Sequence, residues 1–259
     1  MLQGRPDGVL PPAPGYQLIP LTTANGIPIV AEFAPAETGD GHPLPHPENQ
    51  PTLLYFYGAK HILASPGTQS QIRYFREMGV NVLMPDFPGY GMSGGSPSES
   101  NFSAAADAAY DYLRAHPGAN DRILIGGSSL GSGSAVDLAG RRPSSGLITM
   151  GAFTSVRDMG YYTLPRVPRW LVRHFLSRVQ FDNAAKIHAV TCPILIVHGT
   201  VDRTVPFTMA GELAANAPAP VTRLSVAGAG HDDIGKVGGA KLWTSIRDWL
   251  AAPGPREAP

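Results

Sequence analysis

The feature that most constrains this chain is a change of rhythm after Pro51, where short apolar runs begin to alternate with stretches of helical periodicity. The runs at 52–57, 80–85, 122–125, 147–150, 194–198 and 222–226 are short and often β-branched, as strands buried on both faces are. Candidate helices lie between them at 68–78, 102–115, 130–140, 208–216 and 237–251. Strand, helix, strand in repetition predicts a mostly parallel sheet covered on both faces. Ahead of it, residues 16–33 read as an antiparallel hairpin about a tight Asn25-Gly26 turn, bringing the expected sheet to about eight strands. Residues 36–51, crowded with Pro, Gly and Asp, read as a surface loop. At 259 residues the chain suits one large core better than two domains. One interval, about 152–190, breaks the alternation with aromatic, basic and apolar residues at helical spacing, and is expected to be a small helical cap inserted above the sheet.

Charge and cysteine content narrow the function classes. Lys plus Arg (20) balance Asp plus Glu (20), so no global field draws the chain to nucleic acid or an anionic membrane. The lone Cys192 excludes an intramolecular disulfide framework and, inside an apolar stretch, reads as a small buried filler. The first fifteen residues lack the basic start and apolar run of a signal peptide, which makes a cytoplasmic location the expectation. His42 and His46 are separated by prolines that forbid a shared helical face, so they read as solvated loop residues and no metal site is expected.

The strongest chemical signal is Gly127-Ser128-Ser129-Leu130-Gly131, directly after one apolar run and at the start of a helical pattern. A nucleophile there occupies a sharp strand-to-helix turn, and the glycines two residues either side make room for it. Ser128 is the rival, but two residues beyond it stands Leu130, whose side chain would clash where Gly131 fits. A serine hydroxyl needs a base, and the base needs a carboxylate behind it. Asp202 follows the run ending at His198-Gly199, and His231 follows the last run, in Gly228-Ala229-Gly230-His231. Ser, Asp, His is the order expected when such loops meet at the carboxyl edge of a parallel sheet. Asp232 and Asp233 read instead as acids at a helix start.

Two other glycine patterns carry less. Gly89-Tyr90-Gly91-Met92-Ser93-Gly94 spells a dinucleotide fingerprint, but it runs into Gly95-Ser96-Pro97, where the phosphate-binding helix would have to begin. Residues 126–133 lack the Lys-Ser or Lys-Thr of a Walker A loop. No cofactor is expected.

From about Tyr16 to Leu250 the chain resembles the α/β-hydrolase superfamily, and within it the small single-domain serine hydrolases. The resemblance rests on Asp86-Phe87-Pro88-Gly89-Tyr90-Gly91-Met92-Ser93-Gly94, on Gly127-Ser128-Ser129-Leu130-Gly131, on His198-Gly199-Thr200-Val201-Asp202 and on Gly230-His231. It implies a Ser129–His231–Asp202 triad and an oxyanion hole of two backbone N–H groups, those of Leu130 and Ala59. Relatives often read His-Gly-Asn where this chain reads Tyr57-Gly58-Ala59-Lys60. The implied activity is cleavage of carboxylic esters or thioesters through an acyl-enzyme. An amidase or peptidase activity, or a weakly active binding protein on the same fold, are the alternatives. Dehalogenase and epoxide-hydrolase chemistry would need an aspartate where Ser129 stands. For substrate contacts the expectation names Tyr57 and Lys60 beside the oxyanion loop and Tyr161, Trp170 and Phe175 in the cap, with a small acyl ester or thioester as partner. The basic, aromatic character of the cap also admits contact with a membrane surface as a lesser reading.

Overall fold

The computed structural model describes residues 15–39, 41–116, 122–175 and 181–251. Eight strands form one sheet in the order β1-β2-β4-β3-β5-β6-β7-β8. They are β1 (Gln17–Thr22), β2 (Pro28–Ala34), β3 (Thr52–Phe56), β4 (Asn81–Pro85), β5 (Ile123–Ser128), β6 (Gly146–Met150), β7 (Ile194–Gly199) and β8 (Val221–Val226). From β3 onward all neighbours are parallel, while β2 runs antiparallel to both β1 and β4. Strands β3, β4 and β6 are buried at every residue, which is why their sequences read as unbroken apolar runs.

The helices are α1 (Pro66–Glu77), α2 (Glu99–Ala115), α3 (Gly131–Arg141), α4 (Val156–Thr163), α5 (Arg169–Phe175), α6 (Asn183–Lys186), α7 (Thr208–Asn216) and α8 (Ile234–Ala251). Helices α2, α3 and α6 pack together on one face of the sheet. On the other, α1 meets α8 through the stacked rings of Tyr74 and Trp243, 4.6 Å apart. Local chemistry sets the helix starts: Ser98 accepts the Asn101 N–H, Ser155 accepts the Asp158 N–H, and Pro66 opens α1. An aromatic cluster, with Phe87 stacked on Phe102 at 4.2 Å and on Phe56 at 6.0 Å, fills the space under the carboxyl end of β3 and β4. Each such ring contributes roughly 1.5–3 kcal/mol through burial.

The structure departs from the sequence expectation in two turns. The hairpin between β1 and β2 closes through five residues, Thr23 to Ile27, and not through Asn25-Gly26 alone. Gly26 has the positive φ of 80°, while the Asn25 side chain accepts a bond from the Thr23 hydroxyl. At the other end, α8 begins three residues before the expected start and is broken at Gly239, whose φ of 53° no helix tolerates. Among the described residues, the helices α4 to α6 and a further short turn at Ile187–Ala189 occupy the interval between β6 and β7 where no strand was expected. Of the residues in the expected cap, 176–180 and the Phe175 side chain lie outside what is described.

Candidate active site

Ser129 sits at the turn from β5 into α3 with φ at +49°, a left-handed conformation that costs a non-glycine residue about 1–3 kcal/mol. The surrounding backbone imposes it. A Cβ on Gly131 would stand 2.0 Å from the Phe56 carbonyl oxygen, and one on Gly127 would stand 2.3 Å from that of Gly131. Glycine at both positions lets helix and strand close to this distance, and the serine between them is thrown outward. The turn is pinned by the Ser129 N–H, which donates to Met150 O at 3.0 Å, and by the Ser132 hydroxyl, which donates to Ser129 O at 2.6 Å.

The other two residues arrive on loops laced to each other. After β7, Val201 N–H donates to Ala229 O at 3.0 Å, and Gly228 N–H donates to the Thr200 hydroxyl at 3.0 Å. A Cβ on Gly199 would stand 2.4 Å from Ala229 O, so only glycine permits this approach. The result is a chain of three side chains. His231 Nδ1 lies 2.7 Å from Asp202 Oδ2, and His231 Nε2 lies 2.9 Å from Ser129 Oγ. A carboxylate only accepts, so the imidazole proton stands on Nδ1, and Nε2 offers its lone pair to the serine hydroxyl.

Asp202 is fully bonded. Its Oδ1 accepts from Thr204 and Val205 N–H, both at 2.8 Å, and Oδ2 faces His231 and, at 3.3 Å, the Nε2 of His198. Burial works against its ionisation, but bonds from His198, His231 and the Val205 amide outweigh that and hold the carboxyl well below its ordinary range. The carboxylate is sealed from solvent, while 12% of the His231 side chain remains open. Asp233 caps the same turn, accepting the Gly230 N–H at 2.6 Å just ahead of α8.

The loop after β3 lies against the serine: a Cβ on Gly58 would be 3.3 Å from the Ser129 Cβ. Ala59 and Lys60 follow it, both exposed, and Leu130 lies at the start of α3, where backbone N–H groups have no carbonyl a turn earlier. Tyr57 is a correction to the expected substrate contacts. Its ring is buried, and its hydroxyl donates to Asp86 Oδ1 at 2.7 Å and accepts the Phe87 N–H at 3.1 Å, so it faces the core. Asp86 also accepts Leu63 N–H and Met92 N–H, each at 2.9 Å, and so ties the loop after β3 to the glycine-rich loop behind it. The glycine string thus wraps a carboxylate of this chain, and α2 begins only at Glu99.

Beneath lies Glu32, which sequence reading passed over. Burial raises its carboxyl to about 7, against a bond from Gln69 and with help from the charge of Asp86. Gln69 bridges Glu32 Oε2 and Leu63 O at 3.0 and 2.9 Å. His61 was also missed; its ring packs between Gly58 and Gly67 on the same loop. No motif marks Glu32, because its place beside Asp86 depends on strand pairing of β2 with β4.

In the cap, Tyr161 is partly covered by the Arg169 guanidinium, 5.0 Å above its ring, and Trp170 is 71% exposed. A cover over an enclosed pocket would bury Trp170; here it stands in solvent on α5.

With this geometry in hand, comparison with known proteins places the chain. A solved esterase of Pyrococcus furiosus superposes with a TM-score of 0.76 over 97% of this chain and 98% of its own, at 16% identity. The chain has the α/β-hydrolase fold. Est1E of Butyrivibrio proteoclasticus, solved with ferulic acid, has a similar shape, with a TM-score of 0.70 over 89% of this chain and 97% of its own, at 17% identity. The serine aminopeptidase S33 family model matches residues 64–191, which carry the elbow but neither Asp202 nor His231. Among sequence relatives, an uncharacterised protein of Mycobacterium tuberculosis is 35% identical over 67% of this chain and 60% of its own length. The human alpha/beta hydrolase domain-containing protein 17B is 31% identical over 73% of this chain and 62% of its own. The chain thus spans about three fifths of these relatives.

Proposed function

We propose that this α/β hydrolase cleaves carboxylic esters or thioesters of small molecules through an acyl-enzyme on Ser129. The observation that carries it is the unbroken relay from Asp202 through His231 to Ser129, with contacts of 2.7 and 2.9 Å. In the first step His231 Nε2 takes the hydroxyl proton as Ser129 Oγ bonds to the acyl carbon. The imidazolium so formed is stabilised by the buried charge of Asp202 and then protonates the leaving oxygen or sulfur. Water repeats the sequence in reverse roles and frees the acid. The N–H groups of Leu130 and Ala59 are the proposed donors to the oxyanion, each worth roughly 3 kcal/mol in comparable sites. Lys60, exposed on that loop, and Tyr161, Trp170 and Phe175 on the cap at 152–190 are the proposed substrate contacts.

Among the described residues no helix is long and apolar enough to cross a membrane. A cytoplasmic location belongs to the same proposal, and the single Cys192 suits a reducing compartment.

The test is turnover of p-nitrophenyl and acyl-thiol substrates of graded chain length, with aminoacyl p-nitroanilides as the peptidase arm. The expected result is ester or thioester turnover, lost by roughly 10⁴-fold or more in Ser129→Ala, and a fluorophosphonate adduct mapped to Ser129. Turnover of the anilides alone would replace the ester reading with a peptidase. An adduct elsewhere, or activity surviving the substitution, would remove the mechanism.

A further inference from the structure

His198, near the end of β7, takes no part in the proton path above, yet it is buried against the residue that anchors that path. Its Nε2 is 3.0 Å from Val205 O and 3.3 Å from Asp202 Oδ2. Both neighbours only accept, so the proton stands on Nε2. The shorter approach is the hydrogen bond, and the longer one adds the attraction of the same N–H for the carboxylate charge. The second ring nitrogen, Nδ1, is buried with no hydrogen-bond partner among the described residues, and the Phe207 ring stands edge-on at 5.9 Å. An apolar side chain would fill this space without leaving a polar atom unmet. The histidine therefore carries an energetic penalty at one nitrogen that only the other nitrogen can justify.

What Nε2 does is visible in the loop that follows. Val205 is held from both sides: its N–H donates to Asp202 Oδ1 at 2.8 Å and its C=O accepts from His198. The three residues close a ring in which Asp202 cannot turn its carboxylate without breaking either the Val205 bond or the His198 approach. We propose that His198 is a positioning residue that locks the rotation of the Asp202 carboxylate, keeping Oδ2 aimed at His231 Nδ1. Burial opposes ionisation of Asp202, and the His198 bond offsets part of that desolvation. This inference rests on the triad reading and refines it. Sequence shows His198 only as the residue before Gly199; its role needs the turn at 202–205 folded back on the strand.

Two amides of different reach test it. A glutamine places its side-chain nitrogen near the position of imidazole Nε2, whereas an asparagine stops near Nδ1. Fluorophosphonate labelling of Ser129 in the unaltered chain is scored first, then active-site-titrated kinetics on p-nitrophenyl butyrate in His198→Gln, His198→Asn and His198→Leu. The expected result is a kcat loss of about 10- to 100-fold in His198→Asn and His198→Leu, with KM within about twofold, because a misaimed base loses rate without losing binding. His198→Gln recovers kcat to within a few-fold. In the proton NMR spectrum the low-field Nδ1 signal of His231 moves in the Asn variant and keeps its place in the Gln variant. Equal kcat in the Gln and Asn variants, with Ser129 labelled, overturns the role of His198 and leaves the triad standing. Absence of labelling in the unaltered chain overturns the triad itself. If His198→Leu fails to fold, the contrast between Gln and Asn decides alone.

Discussion

Around Asp202 both carboxylate oxygens have donors and both nitrogens of His231 have partners, whereas on the cap Tyr162, Leu164 and Trp170 turn 48%, 48% and 71% of their surface to solvent. The two regions lie at the same edge of the sheet, since the cap leaves β6 through Gly151, where a Cβ would be 3.1 Å from the His231 ring. They are held by different physics. The triad is fixed by backbone bonds and close glycine contacts that admit one geometry, as chemistry with tight distance requirements demands. Helices α4 and α5, by contrast, bury little; of their described residues only Val172 is buried. A surface of that kind can change with the substrate while leaving the relay alone. The contrast predicts that substitutions at the triad act on rate and substitutions on the cap act on selection.

The sharpest break would come from Asp202→Asn. The amide nitrogen must face either the two backbone N–H groups or His231, and in the second case it donates where the imidazole proton now points. His231 is then driven to the wrong tautomer, and kcat falls by roughly 10³–10⁴-fold with a small change in KM. Active-site-titrated kinetics on a short ester check it; a loss confined to KM would put Asp202 outside the relay. The same carboxyl has a pH consequence. Its folded pKa is depressed, so its contribution to stability is present above the ordinary carboxylate range and is lost as pH falls through the folded value.

Glu32 carries the opposite sign, and it sharpens the comparison from below the site. Its carboxyl is raised from 4.5 to about 7, so its contribution to stability is complete below 4.5 and is lost as pH rises through 7. Glu32→Gln removes the charge that must be buried at alkaline pH and keeps an acceptor for Gln69. It should raise stability at pH 8 by about 1–3 kcal/mol and leave it nearly unchanged at pH 4.5. Denaturant midpoints at the two pH values measure this. Equal shifts at both would mean that packing, and not the charge, is responsible.

How much of this was legible beforehand follows from where each constraint is written. Ser129 was readable because its turn is local: two glycines, a strand before and a helix after are all within a few residues. Asp202 and His231 were readable only as an ordered pair after the right strands, because the Val201 to Ala229 bond that brings them together joins distant segments. Tyr57 was misassigned because neighbourhood in sequence was allowed to stand for direction in space, and its hydroxyl is held by Asp86 and the Phe87 N–H just past β4. Asp86 was visible as the first residue of a motif, while its work, accepting Tyr57, Leu63 and Met92, needed the β3 and β4 ends side by side. Glu32 left no pattern at all, since its partner Gln69 comes from α1, and His198 was visible only as the first residue of a motif, since its role needs the turn at 202–205 folded back on β7.

The smallest effect, and the one that tests the cap most directly, belongs to Trp170→Ala. A side chain 71% exposed contributes little to folding, so the unfolding free energy should stay within about 0.5 kcal/mol of the original. If Trp170 packs on the acyl chain of a bound substrate, the loss appears only when that chain is long enough to reach it. Burial of part of an indole against methylenes is worth about 1 kcal/mol, or roughly three- to tenfold in kcat/KM. On p-nitrophenyl acetate the substitution should therefore be silent, while on the dodecanoate ester it should raise KM several-fold and spare kcat. A loss of equal size on both esters would mean that the cap bears on the relay itself, and the division between a fixed chemical edge and an adaptable cover would fail.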